Sequence, residues 1–293
     1  MSLQLSFAGF GEAARAFAPA IVAHVRCATA YDIRAEQATY QKAFGQYRVK
    51  GSHNPVQSIS SADIILSLVT ADQQRLAAEQ VASSLRSGAL YCDMNSVAPD
   101  SKRQAAVTIE SAGGRYVDVA IMSPVYPKRH EVALLISGVQ AQEAEAALRQ
   151  AGFTDTTVVG EHVGQASTIK MIRSVMVKGI EALTAEMILA AQVAGVRDQV
   201  LGFLDASEKP SSWRHRADYN LDRMLTHGHR RAAEMREVTE TLRAIGVTSA
   251  MSEQTANWQK RLAALEISPV PDGLPDKVDA ILGKELYSGD DGI

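Results

Sequence analysis

Near its start the sequence reads Leu3-Gln4-Leu5-Ser6-Phe7-Ala8-Gly9-Phe10-Gly11-Glu12-Ala13-Ala14. A GxGxxA pattern between an apolar strand and a helix is typical of a turn that binds phosphate. Gly9 permits the tight turn, Gly11 lets the backbone approach a pyrophosphate, and the N-terminus of the helix holds the anion. We therefore predict that this turn binds a dinucleotide through Gly9, Phe10, Gly11, Glu12 and Ala13.

An acidic residue follows the second predicted strand. Asp32 comes 21 positions after Gly11, and a carboxylate about 20 positions after the glycine turn is expected to bind the ribose of the adenosine. The presence of Asp32 favours a dinucleotide-binding turn over a plain strand-to-helix turn. Asp32 favours NAD, because a carboxylate repels the 2′-phosphate of NADP. Arg34 is either a solvated residue at a helix start or a guanidinium that recognises that phosphate, so NADP stays an alternative.

Strand and helix patterns alternate through the first half of the chain. This alternation is typical of a parallel sheet covered by helices, the Rossmann-type α/β fold. Val69, Thr70 and Asn95 lie at the ends of two predicted strands and are further candidates for cofactor binding. The predicted strands are Leu3–Ala8, Cys27–Tyr31, Ile64–Val69, Ala89–Cys92, Arg115–Val119, Val132–Ser137 and Thr156–Val159. The predicted helices are Glu12–His24, Ala35–Phe44, Gln73–Leu85 and Gln140–Gln150, with one more that starts at Pro99.

The pattern changes to helices beyond Gly160. A long helix is predicted to start near Gly164, because apolar residues follow helical spacing over many turns without an internal proline. We predict a dinucleotide-binding domain over residues 1–162, an all-α domain over residues 163–267 joined to it by the long helix, and a proline-rich arm or tail over residues 268–293. The other helices predicted in the second domain are Gln199–Asp205, Ser212–Leu225, Arg230–Ile245 and Glu253–Leu265, with Gly228 separating two of them.

The composition excludes several classes of protein. The 293 residues are about twice the ~150 residues typical of one domain. A formal net charge of −3 provides no basic field for nucleic acid, and the most apolar helical stretch is much shorter than the ~20 residues of a membrane span. Cys27 and Cys92 lie far apart in sequence, which is typical of reduced thiols. We expect a cytoplasmic protein that binds a small-molecule substrate, without a nucleic-acid or membrane partner.

Three further segments support a more specific interpretation. They are Asp93-Met94-Asn95-Ser96 followed by Pro99, Asp118-Val119-Ala120-Ile121-Met122-Ser123, and Gly164-Gln165-Ala166-Ser167-Thr168-Ile169-Lys170. With these and the glycine turn, the chain resembles the β-hydroxyacid dehydrogenases, relatives of 6-phosphogluconate and 3-hydroxyisobutyrate dehydrogenases, in their bacterial branch with a helical C-terminal domain of unknown function. The resemblance implies an NAD(P)-dependent oxidoreductase that acts on CH–OH groups, a long interdomain helix and a homodimer formed through the helical domain.

The resemblance also implies a catalytic lysine. In this family a lysine on the first turns of the interdomain helix acts as general acid and base, and Lys170 occupies that place. Oxidation of a hydroxyl by hydride loss needs a base for the O–H proton, and reduction of the carbonyl needs the same group as an acid. A lone lysine on a helix is usually a surface residue, but the preceding glycines and the apolar neighbours favour catalysis.

Two departures from the family concern the substrate. Ser174 stands where the family has an asparagine, and its neighbour Arg173 is predicted to bind an anionic substrate or to form an interdomain salt bridge. A Ser-Gly-Gly segment whose amides hold a carboxylate is replaced by Met122-Ser123-Pro124, and proline has no N–H. We therefore expect Ser123 to supply the polar contact and the substrate not to be a small simple 3-hydroxy acid. Further candidate substrate contacts are Ser96, His229 and Arg231.

Two other functions stay in competition with a dehydrogenase. Imine reductases share the fold but usually lack the lysine, so Lys170 argues against that alternative. The departures at Ser174 and Pro124 leave room for a catalytically silent nucleotide-binding or sensor protein. No metal is expected, because the sequence has no HxxxH or CxxC pair and a lysine suffices for proton transfer.

Overall fold

The computed structural model describes residues 3–207 and 210–287. The chain divides into two compact units, of which the first ends at Val175 and the second begins at Met176. This division lies within a long helix, whereas the sequence-based boundary lies between residues 162 and 163, just before that helix. No helix in the described part of the chain is long and apolar enough to cross a membrane.

The first unit contains an eight-stranded sheet with the order β3-β2-β1-β4-β5-β6-β7-β8. All neighbouring strands are parallel except the antiparallel pair β6 and β7. The strand order reverses between β1 and β4, which is where ligands bind in open α/β sheets. The strands are β1 (Gln4–Ala8), β2 (Cys27–Tyr31), β3 (Lys50–Ser52), β4 (Ile64–Ser67), β5 (Leu90–Asp93), β6 (Arg115–Ile121), β7 (Leu134–Ser137) and β8 (Thr156–Gly160).

Helices cover the sheet on both faces, so all four residues of its central strand β4 are buried. Ile64 and Leu66 of β4 pack into one hydrophobic cluster, while Ile65 between them packs into the cluster on the opposite face. The helices of this unit are α1 (Glu12–His24), α2 (Ala38–Tyr47), α3 (Pro55–Ile59), α4 (Gln74–Ala82), α5 (Pro99–Ser111) and α6 (Ala141–Gln150), followed by the start of α7 (Gln165–Val193).

The Rossmann-type fold predicted from the sequence is confirmed, with local corrections. β7 is antiparallel to β6, because the loop between them carries no crossover α-helix. Strand β3 was not predicted because its sequence, Lys50-Gly51-Ser52, has no strand preference. A Cβ at Gly51 would lie 2.1 Å from the ring of Phe44, so this strand requires glycine. The predicted helix at Ala35 begins instead at Ala38, because residues 32–37 form tight turns.

The second unit is helical in its described residues, which agrees with the predicted fold class. It contains the end of α7, α8 (Arg197–Ser207), α9 (Trp213–Ala244), α10 (Ala250–Ala263) and α11 (Leu274–Tyr287). The segments predicted on either side of Gly228 form one helix of 32 residues, so Gly228 is not a helix end. A Cβ at Gly228 would lie 2.4 Å from the Gln259 carbonyl oxygen, so the glycine permits close packing of α9 on α10.

Two buried charged side chains connect helices within the second unit. Glu186 of α7 accepts the backbone N–H groups of Met251 and Ser252 at 2.8 and 2.9 Å, and so caps the N-terminus of α10. Lys277 of α11 lies 2.9 Å from Asp218 of α9. The segment predicted as an arm or tail therefore includes a helix that packs on α9.

Candidate active site

A cavity of about 640 Å³ lies at the carboxyl ends of the strands in the first unit. Its lining includes the glycine turn after β1, the end of β2, the segments after β4, β5 and β6, and Lys170 of α7. A volume in this range is typical of small-molecule and cofactor sites. The fold therefore brings the predicted cofactor residues other than Phe10, and the predicted catalytic lysine, to one cavity.

The glycine turn leaves the N-terminus of α1 open to this cavity. Gly9 has φ +91°, and a Cβ there would lie 2.6 Å from the Leu68 carbonyl oxygen. Gly11 precedes α1 and has nothing within 4 Å of an added Cβ, although it lines the cavity. Glu12 and Ala13 of the first helical turn also line it. The open space beside Gly11 and the backbone N–H groups of the helix start fit the pyrophosphate of a dinucleotide.

Phe10 takes a different place from its neighbours. Its ring is fully buried in the core and packs against Phe7 and Phe44, and it does not line the cavity. Its backbone N–H donates to Oδ2 of Asp32 at 2.7 Å. Phe10 is therefore positioned to shape the turn through its backbone, and its side chain does not face the cavity.

Asp32 lies at the end of β2, where the cavity meets the glycine turn. Its other carboxylate oxygen, Oδ1, accepts the backbone N–H of Arg34 at 2.8 Å. Asp32 is buried, but it still lines the cavity together with the exposed side chain of Arg34. Each carboxylate oxygen has a second lone pair, so both backbone bonds leave room for a ribose hydroxyl.

Asn95 connects the ends of β4 and β5. Its Oδ1 accepts the N–H of Val69 at 2.7 Å, and its Nδ2 donates to Ser67 Oγ at 2.9 Å and to Asp93 Oδ1 at 2.8 Å. Asn95, Val69 and Thr70 all line the cavity. The amide group of Asn95 therefore has a structural role that shapes the wall of the cavity.

Lys170 and Ser96 meet at the cavity. Lys170 Nζ lies 2.5 Å from Ser96 Oγ, and both residues line the cavity together with Ser123. Ser96 follows β5 and Lys170 lies on the second turn of α7, so two distant segments converge here. A lysine amine beside a serine hydroxyl can exchange a proton with a bound hydroxyl or carbonyl group.

Arg173 and Ser174, three and four residues after Lys170 on α7, do not line this cavity. Arg173 Nη1 donates to the Met122 carbonyl oxygen at 3.2 Å. Its contact with an anionic substrate or with an interdomain salt-bridge partner stays a prediction. Ser174 Oγ donates to the Lys170 carbonyl oxygen at 2.9 Å, one turn back along the helix. The structure thus assigns backbone partners to both side chains.

His229 and Arg231 lie elsewhere in the chain. Both are on α9 in the second unit, whereas the described lining of the cavity comes from the first unit alone. Their contact with a substrate stays a prediction.

The sequence interpretation missed a buried charged cluster below the site. Lys102 of α5 is completely buried, and its Nζ lies 3.0 Å from Asp93 Oδ1 and 3.3 Å from Asp118 Oδ1. Burial alone would raise the pKa of the Asp93 carboxyl, but the Lys102 ammonium and hydrogen bonds from Gln74 and Tyr116 hold that pKa below its usual range. The available signal was the pair of aspartates in apolar strands, Asp93 at the end of β5 and Asp118 within β6, because buried carboxylates need a partner.

Comparison with known proteins places the chain in a family. The NAD binding domain of 6-phosphogluconate dehydrogenase matches residues 4–152, which contain the glycine turn, Asp32 and Asn95. The chain belongs to the family that this NAD binding domain defines. Residues 191–262 match a domain of unknown function, DUF1932. Membership in the 6-phosphogluconate dehydrogenase-like family makes the chain an NAD(P)-dependent oxidoreductase of the dehydrogenase and reductase class.

Solved structures agree with this family and its fold. A conserved hypothetical protein from Sinorhizobium meliloti is 33% identical, with 97% of each chain covered and a TM-score of 0.60. A conserved protein of unknown function with structural similarity to 3-hydroxyacid dehydrogenases is 28% identical, with 90% of this chain and 99% of that chain covered and a TM-score of 0.59. An imine reductase from Myxococcus stipitatus in complex with NADP+ shares the fold at 18% identity, with 89% and 94% covered and a TM-score of 0.72.

Proposed function

We propose that the chain transfers a hydride between NAD and the hydroxyl or carbonyl carbon of a small-molecule substrate, with Lys170 as general acid and base. The observation that carries this proposal is the position of Lys170 Nζ, 2.5 Å from Ser96 Oγ in the cavity that also contains the glycine turn. Lysine is a proton donor when charged and a proton acceptor when neutral, which is the pair of roles that the two directions of the reaction need.

The chain's own residues would handle the proton. When bound, the nicotinamide supplies or accepts the hydride at the substrate carbon. In the reducing direction, the Lys170 ammonium gives a proton to the substrate oxygen; in the oxidising direction, its neutral amine removes the hydroxyl proton. Ser96 Oγ, in hydrogen-bond contact with Nζ, is placed to orient that substrate oxygen.

We propose NAD as the preferred cofactor. The carboxylate of Asp32 lines the cavity and would repel a 2′-phosphate, while its oxygens can still accept ribose hydroxyls. The exposed guanidinium of Arg34 beside it supports NADP as the alternative. The pyrophosphate would lie against Gly11, Glu12 and Ala13.

The substrate loop supports a substrate other than a small simple 3-hydroxy acid. Pro124 lines the cavity and has no backbone N–H that could hold a substrate carboxylate. Ser123 offers a hydroxyl at the same wall. We expect 3-hydroxyisobutyrate and 3-hydroxypropionate to be poor substrates of the purified protein, and robust turnover of either would contradict this part of the proposal.

One experiment tests the function. Thermal shifts with NAD and NADP establish cofactor binding, and a panel of alcohols, aldehydes and cyclic imines is then assayed with the wild type, Lys170→Ala and Lys178→Ala. Lys178 is an exposed lysine on the same helix, so its variant controls for the loss of one positive charge. Lys170→Ala is expected to lower turnover of an alcohol or aldehyde at least about 100-fold.

The other outcomes identify the competing functions. If the protein reduces cyclic imines and Lys170→Ala retains that activity, the function is that of an imine reductase and not of a dehydrogenase. Cofactor binding without turnover of any substrate would indicate a sensor.

We further propose that the chain forms a homodimer through its helical part. Large apolar side chains are exposed on the second unit, and Phe203 of α8 is 77% exposed. Extended exposed apolar surface is typical of an association interface, and a second copy presents the same surface in a symmetric dimer. Light scattering should give twice the 31.5 kDa mass for the wild type and a shift toward the monomer for Phe203→Asp. A monomeric wild type would contradict the proposal.

A further inference from the structure

The buried cluster around Lys102 reaches two strands from one helix. Lys102 Nζ donates to the Asp93 carbonyl oxygen at 2.6 Å and to Asp93 Oδ1 at 3.0 Å, and lies 3.3 Å from Asp118 Oδ1. All three side chains are completely buried. Burying three charges is costly, and removal of one partner would leave an uncompensated charge in the interior. Because the desolvation of these charges is unfavourable, we expect a role of the cluster beyond filling the space between α5 and the sheet.

The second carboxylate oxygen of Asp118 holds the start of α7. Asp118 Oδ2 accepts the N–H groups of Gly164 and Ser167 at 3.2 and 2.9 Å, and the hydroxyls of Ser167 and Ser137 at 3.0 and 3.2 Å. Ser137 Oγ in turn accepts the N–H of Ala166 at 3.0 Å. N–H groups in the first turn of a helix have no partner within the helix, and a carboxylate there complements the helix dipole. Asp118 and Ser137 therefore anchor the first turn of α7 to β6 and β7.

Lys170 lies one helical turn beyond this anchor. It follows Ala166 by four residues, about 6 Å along a helix that rises 1.5 Å per residue. A displacement of the first turn would thus move Lys170 away from Ser96. The same cluster also reaches the cofactor side, because Asp93 holds Asn95 and Asn95 holds Val69.

We propose that Asp118 and Lys102 are positioning residues for Lys170. Lys102 compensates the charge of the Asp118 carboxylate through an ion pair at 3.3 Å. Asp118 in turn fixes the helix start that sets where the Lys170 amine lies in the cavity. The proposal rests on the catalytic role proposed for Lys170. Positioning to within a fraction of an ångström matters because a 1 Å displacement can lower a rate by about 100-fold.

The test weakens the anchor without leaving a buried charge unpaired. The double variant Ser137→Ala/Ser167→Ala removes two of the four donors to Asp118 Oδ2 and the acceptor of the Ala166 N–H. Ser58→Ala is the matched control: Ser58 is equally buried, and its hydroxyl donates to the Ala30 carbonyl oxygen at 2.9 Å, with no hydrogen bond to α7. Each variant is measured for kcat, KM, cofactor dissociation constant, thermal midpoint and backbone hydrogen exchange.

The double variant should lower kcat between about 10- and 100-fold, with the cofactor dissociation constant within about twofold of the wild-type value. Hydrogen exchange should accelerate in residues 164–170 alone. Ser58→Ala should keep kcat within about twofold of the wild-type value, even where its thermal midpoint is similar to that of the double variant. Asp118→Asn, if it folds, should lower kcat at least as much as the double variant.

Two results would overturn the proposal, and they are distinguishable. If the double variant exchanges faster at residues 164–170 but keeps wild-type kcat, while Lys170→Ala is inactive, the anchor does not position the lysine. If Lys170→Ala keeps wild-type turnover, the proposed function fails and this inference fails with it, whatever the exchange pattern shows.

Discussion

The backbone N–H of Phe10 lies 2.7 Å from Oδ2 of Asp32, so the carboxylate predicted to bind the ribose also holds the glycine turn. The N–H of Gly9 donates to the Tyr31 carbonyl oxygen at 2.8 Å, which adds a second connection between the turn and the end of β2. The geometry of the phosphate site and the charge at the ribose site therefore depend on the same residue. A substitution at Asp32 must keep an acceptor for Phe10 if it is to report on cofactor preference alone.

Asp32→Asn keeps an acceptor for Phe10, because its amide oxygen can accept that N–H while the negative charge is removed. The Arg34 N–H, which Asp32 Oδ1 accepts in the wild type, loses its acceptor in this variant. We expect NADP to bind at least about tenfold more tightly to this variant, a gain of about 1.4 kcal/mol, because the repulsion of the 2′-phosphate is gone. Titrations of both cofactors, followed by protein fluorescence, measure the change. Adding Arg34→Ala should reverse the gain, and an unchanged NADP affinity in Asp32→Asn would contradict the assigned role of the carboxylate.

The two glycines of the turn should respond differently to alanine. Gly9→Ala places a Cβ 2.6 Å from the Leu68 carbonyl oxygen at φ +91°, so we expect the free energy of unfolding to fall by about 2 kcal/mol or more. Gly11→Ala meets no neighbour and should cost less than about 1 kcal/mol, yet it should weaken cofactor binding at least about tenfold, because its methyl group enters the phosphate space. Denaturant unfolding and cofactor titration separate these effects, and a Gly11→Ala protein with wild-type affinity would exclude this turn as the phosphate site.

The parts of the site that the sequence predicts are those set by local backbone requirements. Gly9 is needed because of its φ of +91° and the close Leu68 carbonyl oxygen. Gly11 is predicted from the close approach of a pyrophosphate, and Asp32 stands at a spacing that the strand–turn–helix unit dictates. Lys102 carries no such signal. On a sequence it is an ordinary lysine in a helix, and only the packing of α5 against β5 and β6 pairs it with Asp93 and Asp118.

In the second unit, too, tertiary contacts decide features that the local sequence does not predict. Gly228 looks like a helix end because glycine is a poor helix former, but contact with α10 outweighs a propensity cost of about 1 kcal/mol. The prolines near residue 270 correctly mark a break after α10. They conceal α11, which is held on α9 by the pair of Lys277 and Asp218. Tertiary contacts of this kind join residues that are distant in sequence, so local patterns cannot reveal them.

Gly228→Ala should destabilise the helical unit. The added methyl group would lie 2.4 Å from the Gln259 carbonyl oxygen and 2.9 Å from the Ala263 Cβ, so α9 and α10 must separate at a cost of about 1–3 kcal/mol. Gly202→Ala on α8 is the control, because nothing lies within 4 Å of its Cβ and the higher helix propensity of alanine should stabilise by up to about 1 kcal/mol. Thermal unfolding compares the two variants. Equal midpoints would show that the α9–α10 contact does not require glycine.

Glu186 provides a test of stability against pH. Burial raises the pKa of this carboxyl, but hydrogen bonds from the Ser252 hydroxyl and the N–H groups of Met251 and Ser252 outweigh burial and hold the pKa below its ordinary value of 4.5. A carboxylate with a lowered pKa in the folded state stabilises the fold above its unfolded pKa. That contribution is lost as the pH falls through the folded-state pKa.

Glu186→Gln should therefore lower the free energy of unfolding by about 1–2 kcal/mol at pH 7, since the amide keeps only one acceptor oxygen for the start of α10. The difference from the wild type should shrink as the pH falls below 4.5 and through the lowered pKa of Glu186, because protonation removes the same charge from the wild type. Denaturant unfolding at a series of pH values measures this difference. Glu240→Gln, on the exposed face of α9, should change stability by less than about 0.5 kcal/mol at any pH. A Glu186→Gln deficit that persists undiminished in acid would show that shape and not charge holds the N-terminus of α10.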